Sequence, residues 1–128
     1  MATAAKKSHT VLIVDDEYAI RFLCRVNLEL DGFRVLEAAE VDEARRLLAA
    51  EQIDVVLLDL NVGRERTDDL LEELRRRTPP MPVALVTGST DPLAPERPDA
   101  DAVLAKPFEV AELTETVRRL TALTTAER

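Results

Sequence analysis

Short apolar runs alternate along this chain with longer stretches in which apolar side chains recur at helical spacing. The runs predict five β-strands, at Val11–Val14, Arg34–Ala38, Asp54–Leu60, Val83–Val86 and Ala102–Ala105. The helical spacing predicts four helices, over 17–31, from Val41 onward, over 68–77 and from Val110 onward. The third strand is apolar on both faces, which is typical of a central parallel strand covered by helices on each side.

This alternation of strands and helices predicts an α/β fold with a parallel sheet and right-handed crossovers. Five strands in 128 residues fit a flavodoxin-like, doubly wound, five-stranded parallel sheet. One helix is missing from the pattern, because Pro92, Pro95 and Pro98 interrupt the segment between the last two strands. We therefore expect a Pro-rich loop in place of the fourth helix.

The length predicts a single domain. We place it at residues 10–122, between a flexible N-terminal arm at 1–9 and a C-terminal tail at 123–128. With 17 Lys and Arg against 25 Asp and Glu, the formal charge is −8, and a surface this acidic repels phosphate backbones. Nucleic acid is therefore not an expected partner.

The chain also lacks the sequence features of export or membrane insertion. Its N-terminus has no apolar signal segment, and no apolar run approaches bilayer length. The single cysteine, Cys24, has no partner for an internal disulfide, which favours a reducing compartment. These observations predict a soluble cytoplasmic protein without a membrane partner.

Polar residues follow four of the predicted strands: Asp15 and Asp16, Asp59, Thr87 and Lys106. Each has an ordinary structural explanation by itself, such as a helix cap, a turn residue or a surface lysine. In an open parallel sheet, however, the carboxyl ends of the strands meet at one edge, where ligands bind. The combination therefore favours a single site at that edge.

This set of side chains suits phosphoryl chemistry. Clustered carboxylates repel each other unless a cation compensates, and oxygen ligands at an open edge suit Mg²⁺. One carboxylate can act as a nucleophile toward a phosphoryl group, whose oxygens then need counter-charge. Mg²⁺, the Lys106 ammonium and the Thr87 hydroxyl can supply it. The residues thus predict a Mg²⁺-dependent phosphoryl acceptor site.

Over roughly residues 10–122 the sequence resembles the receiver domain of bacterial response regulators. The resemblance rests on four segments in order, namely Val14-Asp15-Asp16-Glu17, Leu57-Leu58-Asp59-Leu60-Asn61, Thr87 and Lys106-Pro107-Phe108. Each segment is weakly specific alone, but the order and spacing are highly specific. The resemblance implies that a sensor histidine kinase or a histidine phosphotransfer protein phosphorylates Asp59.

The resemblance also implies roles for the surrounding residues. Asp16 and Asp59, with the carbonyl of Asn61, would bind Mg²⁺, and Asp15 would assist through bound water. Lys106 would pair with the phosphoryl group, and its bond to Pro107 would be cis, a minority state of X-Pro bonds in general. Thr87 would move toward the phosphoryl group and carry its loop with it.

Several positions depart from the usual receiver pattern. Gly63 stands where most receivers have a proline, which we expect to loosen the loop beside the acceptor. Val103 replaces the usual switch aromatic, and Gly88 follows Thr87. Together with the missing fourth helix, these features resemble a subfamily of single-domain receivers that is named for a Phe-Ala-Thr-Gly-type motif. From this resemblance we expect the 88–101 loop to become ordered on phosphorylation.

The sequence therefore predicts a stand-alone receiver that catalyses only its own phosphorylation and dephosphorylation and is not otherwise an enzyme. Its phosphorylation would switch a protein-interaction surface, or it would serve as a relay or phosphate sink. One alternative is a pseudo-receiver adaptor that works without phosphorylation. Another is a phosphohydrolase of the haloacid dehalogenase type, which needs Asp-x-Asp after its first strand, whereas Asp15 and Asp16 are adjacent here.

Overall fold

The protein is described from a computed structural model, which covers residues 8–88 and 99–126 and, of the last four of these, the backbone alone. In chain order its elements are β1 (Thr10–Val14), α1 (Tyr18–Leu30), β2 (Arg34–Ala38), α2 (Val41–Ala50), β3 (Val55–Asp59), β4 (Asn61–Val62), β5 (Glu65–Arg66), α3 (Asp68–Arg75), β6 (Val83–Gly88), β7 (Ala102–Lys106) and α4 (Val110–Ala126). No helix in this described part is long and apolar enough to cross a membrane.

Five strands form one parallel sheet in the order β2-β1-β3-β6-β7, with β3 at its centre. All five residues of β3 are buried, as its doubly apolar pattern predicts. The predicted flavodoxin-like fold is thereby confirmed. Because β1 and β3 are neighbours in the middle of the sheet, the acidic residues that follow them come close together at its carboxyl edge.

Apolar side chains pack in two layers, one on each face of the sheet. Alternation along the strands sends Leu12, Val56 and Leu85 to one face and Ile13, Leu57 and Ala84 to the other. The first layer packs under α2 and α3, and it includes Ala44, Leu48, Leu70, Leu71 and Leu74. The second packs under α1 and α4, and it includes Cys24, Leu28, Leu113, Val117 and Leu120. The strands that carry the polar edge residues are therefore anchored on both sides.

Between β3 and α3 the chain forms a small antiparallel hairpin, β4–β5, that the sequence analysis did not anticipate. Gly63 has a φ of 64° at the first central position of its two-residue turn, and no non-glycine residue in the described structure has positive φ. Of the two turn types favoured in β-hairpins, the φ and position of Gly63 fit type II′, in which Gly occupies the first central position. Gly63 therefore closes the turn of a paired hairpin here, and its effect on the looseness of the loop stays a prediction.

Other element boundaries shift modestly from the predictions. β6 continues to Gly88, so Thr87 is a buried strand residue and not the start of a loop. α4 continues to Ala126, past the domain boundary predicted at residue 122. The predicted Pro-rich loop, with the expected ordering of 88–101, falls mainly at residues 89–98, which lie outside the described part of the chain.

One side-chain cluster fixes the amino ends of β6 and β7. Nη1 of Arg75, at the end of α3, lies 3.0 Å from the carbonyl of Met81 and 2.6 Å from Oδ2 of Asp101. The same Asp101 oxygen accepts the N–H of Val83 at 2.9 Å, and the Asp101 N–H donates to the Val83 carbonyl at 2.9 Å. Arg75 thus ties a helix end to the two strands that carry Thr87 and Lys106.

We predict that Arg75→Ala lowers the free energy of unfolding by about 1.5–3 kcal/mol, the usual range for hydrogen bonds to charged groups. The neighbouring Arg76→Ala is a matched control, because the Arg76 side chain is 75% exposed and, among the described residues, pairs with the exposed Glu72 on α3. Urea unfolding followed by circular dichroism measures both. Equal effects of the two substitutions would contradict the assignment.

Candidate functional site

The predicted polar residues meet at the carboxyl edge of the sheet. Asp59 is the last residue of β3, and Lys106 is the last residue of β7. Asp15 directly follows β1, which pairs with β3, and Thr87 lies on β6 between β3 and β7. The strand order therefore brings these side chains to one edge, as predicted for parallel strands.

The Lys106 ammonium is the centre of this arrangement. Its Nζ lies 2.9 Å from Oδ2 of Asp15, 2.9 Å from Oδ2 of Asp59 and 2.8 Å from Oε1 of Glu17. The Lys106 side chain is only 15% exposed. Although burial alone lowers the pKa of Lys106, hydrogen bonds to these carboxylates outweigh it and raise that pKa above its ordinary value. Lys106 therefore remains a cation at any physiological pH.

Asp15 is almost completely buried beneath this lysine. Its Oδ1 accepts the backbone N–H of Glu17 at 2.9 Å, and its Oδ2 has no aligned hydrogen-bond donor among the described residues beyond the ion pair with Lys106. Burial raises the pKa of Asp15 above its ordinary value, and the bond to Lys106 opposes that rise. Asp15 thus presents a buried oxygen that a bound cation would stabilise.

Arg21 on α1 holds the backbone at this point. Its Nη1 donates to the carbonyl of Asp15 at 2.8 Å, while its Nε donates to Glu37 on β2 at 3.1 Å. Arg25 donates to the other Glu37 oxygen at 2.6 Å. The turn that carries Asp15 is therefore fixed to both α1 and β2, which limits the movement of its carboxylate.

Hydrogen bonds hold both the carboxylate and the main-chain carbonyl of Asp59. Its Oδ1 accepts the backbone N–H of Asn61 at 3.0 Å, which leaves Oδ2 for Lys106. The hydroxyl of Thr67 donates to the Asp59 carbonyl at 2.6 Å. Thr67 occupies the N-cap position of α3, yet its side chain makes no capping hydrogen bond. Its hydroxyl binds the main chain of Asp59 and not the helix end, a contact that the sequence analysis missed.

Thr87 contributes a buried hydroxyl to the same edge. Its side chain is 1% exposed, and its Oγ1 has no hydrogen-bond partner within the described structure. Buried polar groups are nearly always paired, and one without a partner needs an explanation, such as an ion or ligand. The sequence analysis predicted that the Thr87 hydroxyl donates a hydrogen bond to a bound anion, and such an anion would be its missing partner.

The structure groups the acidic residues differently from the set of metal ligands predicted. Oxygens of Asp15, Glu17 and Asp59 lie within 4.8 Å of one another, whereas Asp16 is exposed and outside this group. Asn61 is also exposed at the start of β4. Glu17 was quoted only as part of a motif, and no signal in the sequence showed that its side chain points to Lys106.

Mg²⁺ fits the chemistry of this edge. Mg²⁺ prefers carboxylate, carbonyl and water oxygens, and it retains several waters at sites that also bind phosphate. Among the described residues, carboxylate oxygens of Asp15, Glu17 and Asp59 lie close enough together to be ligands, and Oδ2 of Asp15 is buried with Lys106 as its contact. The three carboxylates and one lysine leave a net negative charge that a divalent cation would compensate.

Two further residues named from the sequence can be placed. The Lys106–Pro107 bond is cis, which confirms that expectation. Val103, at the position of the usual switch aromatic, lies on β7 and packs partly buried against the core layer beneath α2 and α3. A switch built on a large aromatic ring at that position is therefore absent from this chain.

Comparison with known proteins agrees with this geometry. A sequence model described as the response regulator receiver domain matches residues 11–118. The regulatory protein VirG of Agrobacterium tumefaciens (strain 15955) is 31% identical over 112 residues, which cover 84% of this chain and 42% of VirG. The chain therefore spans less than half the length of this relative.

Solved structures show the same likeness. A response regulator receiver domain protein (CheY-like) from Methanospirillum hungatei aligns with a TM-score of 0.83 and 26% identity, covering 95% of this chain and 100% of that one. A putative response regulator from Chloroflexus aurantiacus aligns with a TM-score of 0.81 and 28% identity, covering 91% and 99%. The sequence motifs, the sheet order and these matches agree: the chain belongs to the response regulator receiver domain family.

Proposed function

We propose that this domain accepts a phosphoryl group on Asp59 from a histidine kinase or a histidine phosphotransfer protein, with Mg²⁺ as cofactor. The observation that carries this proposal is the Lys106 ammonium, which lies 2.9 Å from the carboxylates of both Asp15 and Asp59 at the sheet edge. It places a cation beside the nucleophile before any phosphoryl group arrives. Membership in the family supports the same chemistry.

In the proposed transfer, an Asp59 carboxylate oxygen attacks the phosphorus of a phosphohistidine. The new O–P bond forms as the N–P bond breaks, and the electron pair of that bond remains on the imidazole nitrogen, which can take up a proton. Lys106 stabilises charge on the phosphoryl oxygens, and the buried Thr87 hydroxyl donates to another of them. Bound Mg²⁺ would supply further positive charge to the phosphoryl oxygens.

Among the described residues, Asp15, Glu17 and Asp59 have oxygens within 4.8 Å of one another, which could together hold the cation. Asp16 and the carbonyl of Asn61 remain candidates from the family resemblance. Asp16 lies in the exposed turn between Asp15 and Glu17, so its side chain has room to reach a bound ion. Substituting Asp16 and Glu17 separately would show which carboxylate contributes more to Mg²⁺ affinity.

As part of the same proposal, the domain acts catalytically only on itself, during its own phosphorylation and dephosphorylation. The phosphorylated state would change a protein-binding surface, pass the phosphoryl group on, or drain a shared kinase. We place this activity in the cytoplasm. Cys24 is a buried free thiol, and burial raises its pKa to about 12, which disfavours the nucleophilic thiolate.

We predict that the protein gains the mass of one phosphoryl group when it is incubated with acetyl phosphate and Mg²⁺. Asp59→Asn abolishes this adduct because it removes the nucleophilic oxygen. Asp42→Asn, which removes an exposed carboxylate on α2, should leave the adduct intact. Intact-protein mass spectrometry measures all three proteins. An adduct that persists in Asp59→Asn, or no adduct in the wild type, would contradict the proposal and favour a phosphorylation-independent adaptor.

We also predict that Mg²⁺ stabilises the fold. A ligand that binds only the native state at about 100 times its dissociation constant adds about 2.7 kcal/mol to the unfolding free energy. The melting temperature of the wild type should therefore rise by several degrees on titration with MgCl₂. Asp59→Asn should lose most of this increase, whereas Asp42→Asn should retain it. Differential scanning calorimetry provides the measurement, with KCl at matched ionic strength as the salt control.

A further inference from the structure

Three carboxylates compete for one ammonium group at the site. A lysine ammonium has three N–H donors. Asp15, Glu17 and Asp59 each place an oxygen within 2.9 Å of the Lys106 Nζ, so every donor has an anionic partner nearby. A phosphoryl oxygen on Asp59 can pair with Lys106 only after one of these contacts is given up.

The three carboxylates differ in how firmly they are held. The side chains of Asp15 and Asp59 are 2% and 12% exposed, and each accepts a backbone N–H in addition to its contact with the lysine. The Glu17 side chain is 59% exposed, and within the described part of the chain its carboxylate contacts only Lys106. Phosphorylation removes the negative charge of the Asp59 carboxylate. Of the two carboxylates that then remain, Glu17 is the one that leaves Lys106 at the lower cost.

The position of Glu17 gives its carboxylate no other evident use. Glu17 is the N-cap residue of α1, but it makes no side-chain capping hydrogen bond. Its backbone N–H instead binds Asp15, so the main chain is fixed while the side chain remains exposed. The same residue therefore anchors Asp15 through its backbone and occupies Lys106 through its carboxylate.

We propose that Glu17 is a positioning residue that holds Lys106 in the unphosphorylated site and releases it when a phosphoryl group reaches Asp59. The proposal rests on the phosphoryl acceptance proposed above. Glu17 adds negative charge, which favours a divalent cation at the site and opposes an anionic phosphoryl group. Removing that charge should shift the two affinities in opposite directions.

The test compares Glu17→Gln with Glu29→Gln, which removes the same charge from an exposed position near the other end of α1. Isothermal titration calorimetry gives the Mg²⁺ affinity of each protein. Fluorine NMR then gives the affinity for beryllofluoride, an analogue of the phosphoryl group, at Mg²⁺ concentrations that saturate each variant. Melting temperatures show that both variants are folded.

For Glu17→Gln we expect Mg²⁺ to bind about two- to fivefold more weakly and beryllofluoride about two- to fivefold more tightly, the range of an exposed ion pair. Glu29→Gln should match the wild type in both. Glu17→Ala should repeat both shifts, because it removes the charge without leaving an amide that can accept a hydrogen bond from Lys106.

Two results would overturn the proposal. One is a beryllofluoride affinity of Glu17→Gln equal to or below that of Glu29→Gln, since the contact between Glu17 and Lys106 would then not oppose binding of the anion. The other is an unchanged Mg²⁺ affinity, since the Glu17 charge would then not act on the site. A wild type that binds no beryllofluoride would instead contradict phosphoryl acceptance itself, so the two failures are distinguishable.

Discussion

The site depends on the contact between the Lys106 ammonium and the carboxylates of Asp15 and Asp59. Buried carboxylates repel each other and are costly to ionise, so the two could not share the sheet edge as anions without a nearby cation. Lys106 provides it at 2.9 Å from each. The contact in turn requires that β1, β3 and β7 all end at the same edge of the sheet, which the observed strand order provides.

Residues outside the charged cluster keep this contact precise. Arg21 fixes the Asp15 carbonyl, Thr67 fixes the Asp59 carbonyl, and Arg75 fixes the amino ends of β6 and β7 through Asp101. All three donate to a main-chain carbonyl, and Arg75 also donates to the Asp101 carboxylate. Among the described residues, Oγ1 of Thr87 has no hydrogen-bond partner and Oδ2 of Asp15 contacts only the Lys106 ammonium, so both keep hydrogen-bonding capacity for a ligand.

Much of the fold could be predicted because the periodicity of apolar residues along the chain marks the strands. Part of the site could be predicted because its residues follow the ends of those strands. Apolar runs marked the five sheet strands, and their ends identified Asp15, Asp59, Thr87 and Lys106, which the structure brings to one edge. The β4–β5 hairpin could not be predicted, because its two-residue strands are too short to show a period. The roles of Glu17 and Thr67 depend on side-chain direction and distant backbone partners, which sequence spacing does not encode.

The hydrogen bond from Thr67 to Asp59 has a mechanical consequence. Thr67 is buried, and α3 begins at the next residue, so a single short hydroxyl contact couples the main chain of Asp59 to that helix. The Thr67 N–H also binds the Leu60 carbonyl, so two hydrogen bonds connect the residue before α3 to Asp59 and Leu60. The first turn of α3 is thus coupled through Thr67 to the main chain at Asp59.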